Sequence, residues 1–321
     1  MELQKVNKNL FERKGTNMPK IAVLLPCYNE SATIAKVVRD FRIALPDSEI
    51  YVYDNNSRDG SAELAEGAGA KIRRVGQQGK GHVVRRMFQE IDADCYVMVD
   101  SDDTYPADEV QELIEPILKG EADMVIGDRL SSTYLDENKR QFHGFGNKLV
   151  RFLISRIFHQ KIHDVMTGYR SFNKMFVKSC PVLSNGFEIE TEMTLFALDK
   201  RFALKEVPIT YRDRPAGSVS KLNTFSDGFK VLMTIFNMFR SYKPLTFFSV
   251  TAATLLAAAG TAMIPVLSDY FKTGLVPKYP TLIVAGFVAL AGLLSFVCGL
   301  ILDSIKKYND QAFENMLKGI R

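Results

Sequence analysis

The sequence predicts an α/β protein with a mostly parallel sheet, continued by a hairpin of two apolar, membrane-length helices. Three observations carry this. Between residues 21 and 127, short β-branched apolar runs alternate with helical stretches. The runs end in polar loops, so charged groups gather beyond their carboxyl ends. Finally, residues 244–302 are dominated by apolar and small side chains, whereas residues 1–243 read as ordinary soluble sequence.

Residues 1–19 are polar and charged, unlike a secretory signal, and Leu3, Val6, Leu10 and Phe11 offer only a weak helical face. Residues 21–25 form a first buried strand ended by Pro26, and Asn29, Glu30 and Ser31 supply caps for a helix over 32–43. A second strand over 49–53 runs into the loop from Asp54 to Gly60, followed by a helix over 61–67 and a strand over 71–75. Gly79-Lys80-Gly81 opens a helix through Glu90. A central strand over 96–99 then ends in Asp100, Asp102 and Asp103, and Pro106 starts a helix to Leu118. A further strand covers 123–127. Such a sheet is covered on both faces and binds ligands at the carboxyl ends of its strands. Glu30, Asp54, Asp100, Asp102 and Arg129 all fall there.

Composition and motifs exclude several classes. A net charge of +4 in 321 residues does not suggest nucleic acid. No G-x-G-x-x-G follows the first strand and no Walker loop is present. Cys27, Cys95, Cys180 and Cys298 lack paired metal-ligand spacing and read as reduced thiols. His159 and His163 stand four apart without the carboxylate of a zinc-protease helix, which argues against a ligand role. Asp100 and Asp102, by contrast, can converge on a hard divalent cation, Mg²⁺ or Mn²⁺, that takes its remaining ligands from water and a diphosphate. The competing reading is an acidic loop in which Asp103 or Thr104 caps a helix. Asp59 reads as a turn or cap residue, and Lys80 equally as a solvated helix start or a phosphate contact.

In order, Leu25-Pro26-Cys27-Tyr28-Asn29-Glu30, Asp54-Asn55-Asn56-Ser57-Arg58-Asp59-Gly60, Gly79-Lys80-Gly81 and Asp100-Ser101-Asp102 resemble a family 2 glycosyltransferase. Residues 127–129, 164–170, 186–190 and 207–222 resemble its polyprenyl-phosphate branch, typified by dolichyl-phosphate mannose synthases and bacterial undecaprenyl-phosphate sugar transferases. The resemblance implies the GT-A fold over 20–222 and a nucleotide-sugar donor held by Pro26, Tyr28, Glu30, Asp54, Lys80, Asp100 and Ser101. It implies a metal at Asp100 and Asp102, with Thr104 standing where the family often has glutamine, so that water replaces one contact. It places Arg129 and Arg140 on the acceptor phosphate. Arg214 and Lys221 fall on a loop that closes over the donor phosphates, bending at Gly217. Arg170 and Glu190 read equally as sheet-to-helix ties or as catalytic groups.

Residues 245–267 and 281–302 are each long enough for a bilayer core, and 268–280 form a short polar link. Phe225, Phe229, Leu232, Met233, Phe236 and Phe239 recur at helical spacing, which favours an interfacial helix over 223–243 against a core helix of the soluble domain. Residues 303–321 read as a polar helix or tail. Arg240, Lys243, Lys306 and Lys307 flank the hairpin and place the catalytic domain and both termini in the cytosol. The membrane is the cell membrane, or the endoplasmic reticulum in a eukaryote. The expected function is inverting transfer of one sugar from a UDP- or GDP-sugar to a polyprenyl phosphate. A glycolipid synthase and an inactive scaffold are the alternatives. The absence of tryptophan excludes the Gln-x-x-Arg-Trp motif of processive synthases. A homo-oligomer through the hairpins is compatible with the sequence but not demanded by it.

Overall fold

A computed structural model describes residues 18–131, 151–156, 158–214, 233, 236–237 and 239–320. The expected Arg140, Gly217 and Lys221, most of the interfacial helix and nearly all of the N-terminal arm lie outside the described residues. The chain divides into two compact units, Met1–Leu232 and Met233–Arg321.

In the first unit, β1 (Ile21–Cys27), α1 (Ile34–Ala44), β2 (Glu49–Asp54), α2 (Ser61–Gly67), β3 (Lys71–Arg74), α3 (Lys80–Glu90) and β4 (Cys95–Met98) follow the predicted order within one or two residues. A short 3₁₀ turn, Ala107–Glu109, leads into α4 (Val110–Leu118) and then β5 (Met124–Asp128). The expected helix start at Pro106 is therefore shifted, because Pro106 itself is extended at ψ 130°. Beyond these come β6 (Arg170–Asn173), α5 (Lys174–Ser179), α6 (Ile189–Asp199) and β7 (Leu204–Pro208).

Among the described residues, seven strands form one sheet in the order β3-β2-β1-β4-β6-β5-β7. Every pairing is parallel except those of β6, which runs antiparallel between β4 and β5. Val23, Leu25, Val52 and Val97 meet Ile34, Val38 and Phe41 of α1 and Leu113 of α4 in a closed apolar core. Burial of such side chains, each contributing about 1.5–3 kcal/mol, fixes the sheet. Because β1, β2, β4 and β5 share a direction, their carboxyl ends form one edge. The antiparallel β6 brings its preceding turn, residues 163–169, to that same edge.

The second unit contains α7 (Pro244–Thr273) and α8 (Tyr279–Ile320). Both are long and apolar enough to cross a membrane. The helices exceed the expected spans: α8 continues through the polar segment after Leu302 without a break, and the link shortens to residues 274–278. Gly274, at φ 69°, ends α7 in the left-handed conformation that glycine adopts without strain. Lys278 pairs with Asp269 across the turn at 3.1 Å. Val250, Phe287 and Leu293 point outward with more than half of their surface exposed.

Candidate active site

Three loops converge at the carboxyl edge of the sheet. The first follows β1 and is stapled to the loop after β2. Asn29, at φ 51°, accepts from the Arg58 amide at 2.8 Å, and its own amide donates to Ser57 Oγ at 2.9 Å. The Glu30 amide donates to Ser61 Oγ at 2.8 Å. Asp59 accepts from the amides of Ser31 and Ser61 and from the Ser61 hydroxyl, so it is the predicted turn clamp. Burial works against its charge, but these bonds outweigh it and hold the carboxyl at about 2. Asp54, the last residue of β2, is buried and accepts weakly from the Ser57 amide. Tyr28, next to Asn29 in the loop after β1, is 39% exposed.

Asn55 ties the loop after β2 to the segment after β3. Its amide donates to the carbonyls of Val75 and Gln77 at 2.9 and 2.8 Å, and its oxygen accepts from the Gly79 amide at 2.8 Å. Gly79, at φ 133°, and Gly81 lie against the backbone of Ser184 and Asn185 so closely that a Cβ at either would strike a carbonyl oxygen. This approach sets Lys80 at the start of α3. Lys80 is not solvated: its side chain is 9% exposed and bridges Asp100 Oδ1 at 2.5 Å and Glu190 Oε1 at 2.6 Å. Burial alone would lower its pKa, but the two carboxylates reverse that and hold the ammonium charged. Burial raises the pKa of Glu190, and Lys80 partly offsets the rise.

The third loop follows β4. Ser101 donates to the Pro26 carbonyl at 2.8 Å, which joins the two central strands at their ends. Asp102, 4% exposed, accepts from the Thr104 hydroxyl at 2.6 Å and pairs with Arg214 at 2.5 Å. Burial, then the Asp100 charge, raises its pKa, while Arg214 and Thr104 pull it back. Thr104 thus spends its hydroxyl proton on Asp102 and orients that carboxylate. Gly168, on the turn before β6, makes room for its neighbour: a Cβ there would fall on the Asp100 carboxylate. Two adjacent carboxylates, one of them deeply buried, favour a hard cation, and such a cradle fits Mg²⁺ or Mn²⁺ through Asp100 and Asp102.

Arg129, just past β5, is held in a fork by Asp164: Nε to Oδ2 at 2.7 Å and Nη2 to Oδ1 at 3.0 Å. Its guanidinium also lies 5.3 Å from the Tyr211 ring centroid. Burial raises the pKa of Tyr211, and the charges of Arg129, Asp102, Arg214 and Asp100 contribute in smaller measure. Arg170 serves the scaffold instead: fully buried, it donates to the carbonyls of Val165 and Thr167 and to the Thr194 hydroxyl.

Two features escaped the sequence reading. Asp164 stands 35 residues from Arg129, with no local pattern to pair them. His163 does have carboxylate company: Glu206 of β7 lies 3.3 Å and Asp128 of β5 3.7 Å from its Nδ1. Only the parallel β5–β7 pairing, which sets Ile126 opposite Glu206, brings them together. Asp128, His163 and Glu206 could hold a cation by composition. The Glu206 Oε1 atom, however, already accepts from the amides of His163 and Asp164, and Asp128 already accepts from Leu130 and Ser131. The same carboxylates thus also brace the turn.

Residues 22–180 match the family described as glycosyl transferase family 2. The chain is 33% identical over 245 residues to the glycosyltransferase AglJ of Haloferax volcanii, covering 76% of this chain and 80% of that one. It is 31% identical over 216 residues to a dolichol-phosphate mannosyltransferase of Pyrococcus furiosus, covering 63% and 59%. Among solved structures, glucosyl-3-phosphoglycerate synthase of Mycobacterium tuberculosis, in complex with Mn²⁺, UDP-glucose and phosphoglyceric acid, has the same fold. The TM-score is 0.56 at 22% identity, over 72% of this chain and 83% of that one.

Proposed function

Because this chain belongs to glycosyl transferase family 2 and is a glycosyltransferase of GT-A fold, we propose that it moves one sugar from a nucleoside-diphosphate sugar to a polyprenyl phosphate at the cytosolic face of a membrane. The observation that carries this reading is the mix of charges at the carboxyl edge of the sheet, where Asp100 bridges Lys80, Asp102 pairs with Arg214 at 2.5 Å, and Arg129 lies 5.3 Å from the Tyr211 ring centroid. Carboxylates alone would suit a metal, and arginines alone a phosphate. A reaction that moves a sugar from a departing diphosphate to a second phosphate needs both. The likeness to dolichol-phosphate mannosyltransferase supports the choice of acceptor.

In this reading Tyr28, Glu30, Asp54 and the backbone near Pro26 receive the nucleoside. Asp100 and Asp102 would hold a divalent cation, which when bound would supply charge stabilisation to the leaving diphosphate. Arg214, and Lys221 beyond the described residues, neutralise the same phosphates. Lys80, anchored by Glu190, fixes the Asp100 carboxylate. Arg129, with Arg140, orients the acceptor phosphate and offsets repulsion between the two anions. A phosphate monoester has its second pKa near about 6, so much of the acceptor is already dianionic at neutral pH and needs no strong base. Its oxygen attacks the anomeric carbon in line as the diphosphate leaves, which inverts the configuration. The domains follow: a catalytic domain over 20–222, a juxtamembrane helix over 223–243 and a membrane hairpin over 244–302.

The test is transfer by the purified full chain, offered radiolabelled UDP- and GDP-sugars with undecaprenyl or dolichyl phosphate, with Mn²⁺ or Mg²⁺ and with EDTA. An acid-labile labelled lipid from one donor, lost with EDTA, is the expected result. Asp102→Asn should lower that activity by about 10²–10³-fold, in line with removal of a transition-state charge contact, and leave the melting temperature nearly unchanged. Nucleotide release with label on a lipid hydroxyl would replace this reading by a glycolipid synthase.

A further inference from the structure

We propose that Asp164 is a positioning residue for the acceptor site: it holds Arg129 in the one orientation from which the guanidinium meets the acceptor phosphate. The inference rests on the acceptor role given to Arg129 above. A guanidinium is planar, so an anion bound along one edge fixes the direction of the other. Asp164 engages the Nε and Nη2 side of Arg129 with both carboxylate oxygens, and its Oδ2 also accepts from the Arg129 backbone amide at 3.3 Å. The Nη1 side is thereby aimed away from Asp164. The guanidinium carbon also sits over the Tyr211 ring, 5.3 Å from its centroid, a second contact that restrains the group.

The carboxylate is itself held rigidly. Asp164 is fully buried, and its Oδ1 accepts from the Met166 amide at 3.3 Å. Glu206 of β7 accepts from the amides of His163 and Asp164 at 2.7 and 3.1 Å, which pins this end of the turn to the sheet. Four residues on, the Gly168 amide donates to the Tyr105 hydroxyl at 3.1 Å, and Gly168 leaves space for the Asp100 carboxylate. One short turn therefore touches both halves of the site: Asp164 sets the acceptor arginine and Gly168 accommodates the donor carboxylate. Its rigidity fixes their separation, to which an in-line reaction is sensitive.

A merely electrostatic role for Asp164 predicts the opposite sign. If it only neutralised Arg129, removing its charge would tighten phosphate binding. If it orients Arg129, removing it weakens binding, because a long side chain regains its rotamers and loses its direction. Asp164→Asn keeps the shape and removes the charge, which separates the two. Farnesyl phosphate serves as the acceptor probe, and UDP or GDP with Mn²⁺ as the donor probe, both titrated calorimetrically into the full chain in detergent. The expected result for Asp164→Asn is at least ten-fold weaker farnesyl phosphate binding with nucleotide binding within two-fold of the parent. Unchanged or tighter farnesyl phosphate binding would overturn the proposal. So would equal loss of both ligands in a protein whose melting temperature is preserved. Asp164→Glu keeps the charge but moves the fork, and should recover less than half of the lost affinity in logarithmic terms; full recovery would also overturn the orientation argument. Arg129→Gln separates this inference from its premise. If that variant binds farnesyl phosphate normally, the acceptor role of Arg129 fails; if it loses binding while Asp164→Asn keeps it, only the positioning role fails.

Discussion

Gly168 shows how little a single residue must contribute chemically to be indispensable. It has no side chain to offer, yet the Asp100 carboxylate occupies the space its Cβ would fill, in backbone that needs no positive φ. The constraint is therefore one of volume. Gly168→Ala should displace the Asp100 carboxylate and break its bridge to Lys80. We expect a loss of Mn²⁺ affinity of at least ten-fold, read by electron paramagnetic resonance on the full chain, with farnesyl phosphate binding little changed. Equal Mn²⁺ affinity in the variant would mean that Asp100 does not hold the ion. Asp59 offers a residue-scale test in pH. Its carboxyl, normally near 3.8, is held at about 2 by the hydroxyl and amide donors of Ser31 and Ser61. A depressed pKa means that its contribution to stability is complete above about pH 4 and disappears as the pH falls through about 2. Asp59→Ala should lower stability by about 1 kcal/mol at neutral pH, a typical value for a lost cap, and the deficit should shrink as the parent is acidified below pH 4. A deficit that stays constant down to pH 2 would assign it to packing instead.

At the scale of elements, what could be read from sequence followed periodicity and its punctuation. Strands β1, β2 and β4 are β-branched runs whose bounds were legible within one or two positions, although β1 continues through Pro26, its expected end, to Cys27, paired there with Tyr53 and Asp54 of β2. The antiparallel insertion of β6 was not legible, because register between strands separated by some 70 residues has no local signature. Yet that strand delivers the turn that holds Asp164 and Gly168. Lys80 was visible as part of a glycine-flanked motif, but its burial between Asp100 and Glu190 depends on the 184–185 backbone packing on both glycines. In the second unit, the small residues of α8 carry a similar meaning. Gly292 lies against Ala252 and Leu256, and Gly299 against Phe248, so α7 and α8 approach closely there. A bulky side chain at Gly299 would collide with Phe248. Gly299→Leu should lower the melting temperature of the detergent-solubilised chain by several degrees, whereas Gly286→Leu, which meets nothing, should not. Equal effects would indicate that helix propensity, not packing, governs the pair.

At the scale of the whole molecule, the cysteines join the two units in one measurement. Cys27, Cys95 and Cys180 are buried in the first unit, and burial drives the Cys27 thiol up to about 12, so neither access nor ionisation favours reaction. Cys298 is exposed on α8. In water such a thiol would react readily. Within a bilayer core its surroundings are hydrocarbon, which neither stabilises a thiolate nor admits a charged reagent. α8 spans about 63 Å at 1.5 Å per residue, about twice the hydrocarbon thickness, and Cys298 falls near its middle, before the polar stretch that begins at Asp303. In sealed membranes containing the full chain, a charged maleimide should therefore modify none of the four thiols, and denaturation in dodecyl sulfate should release all four. Single-cysteine variants assign any exception. Rapid labelling of Cys298 in intact membranes would remove the hairpin from the bilayer and with it the membrane-bound acceptor. Labelling of Cys27 instead would open the nucleotide end of the sheet while leaving the membrane reading intact.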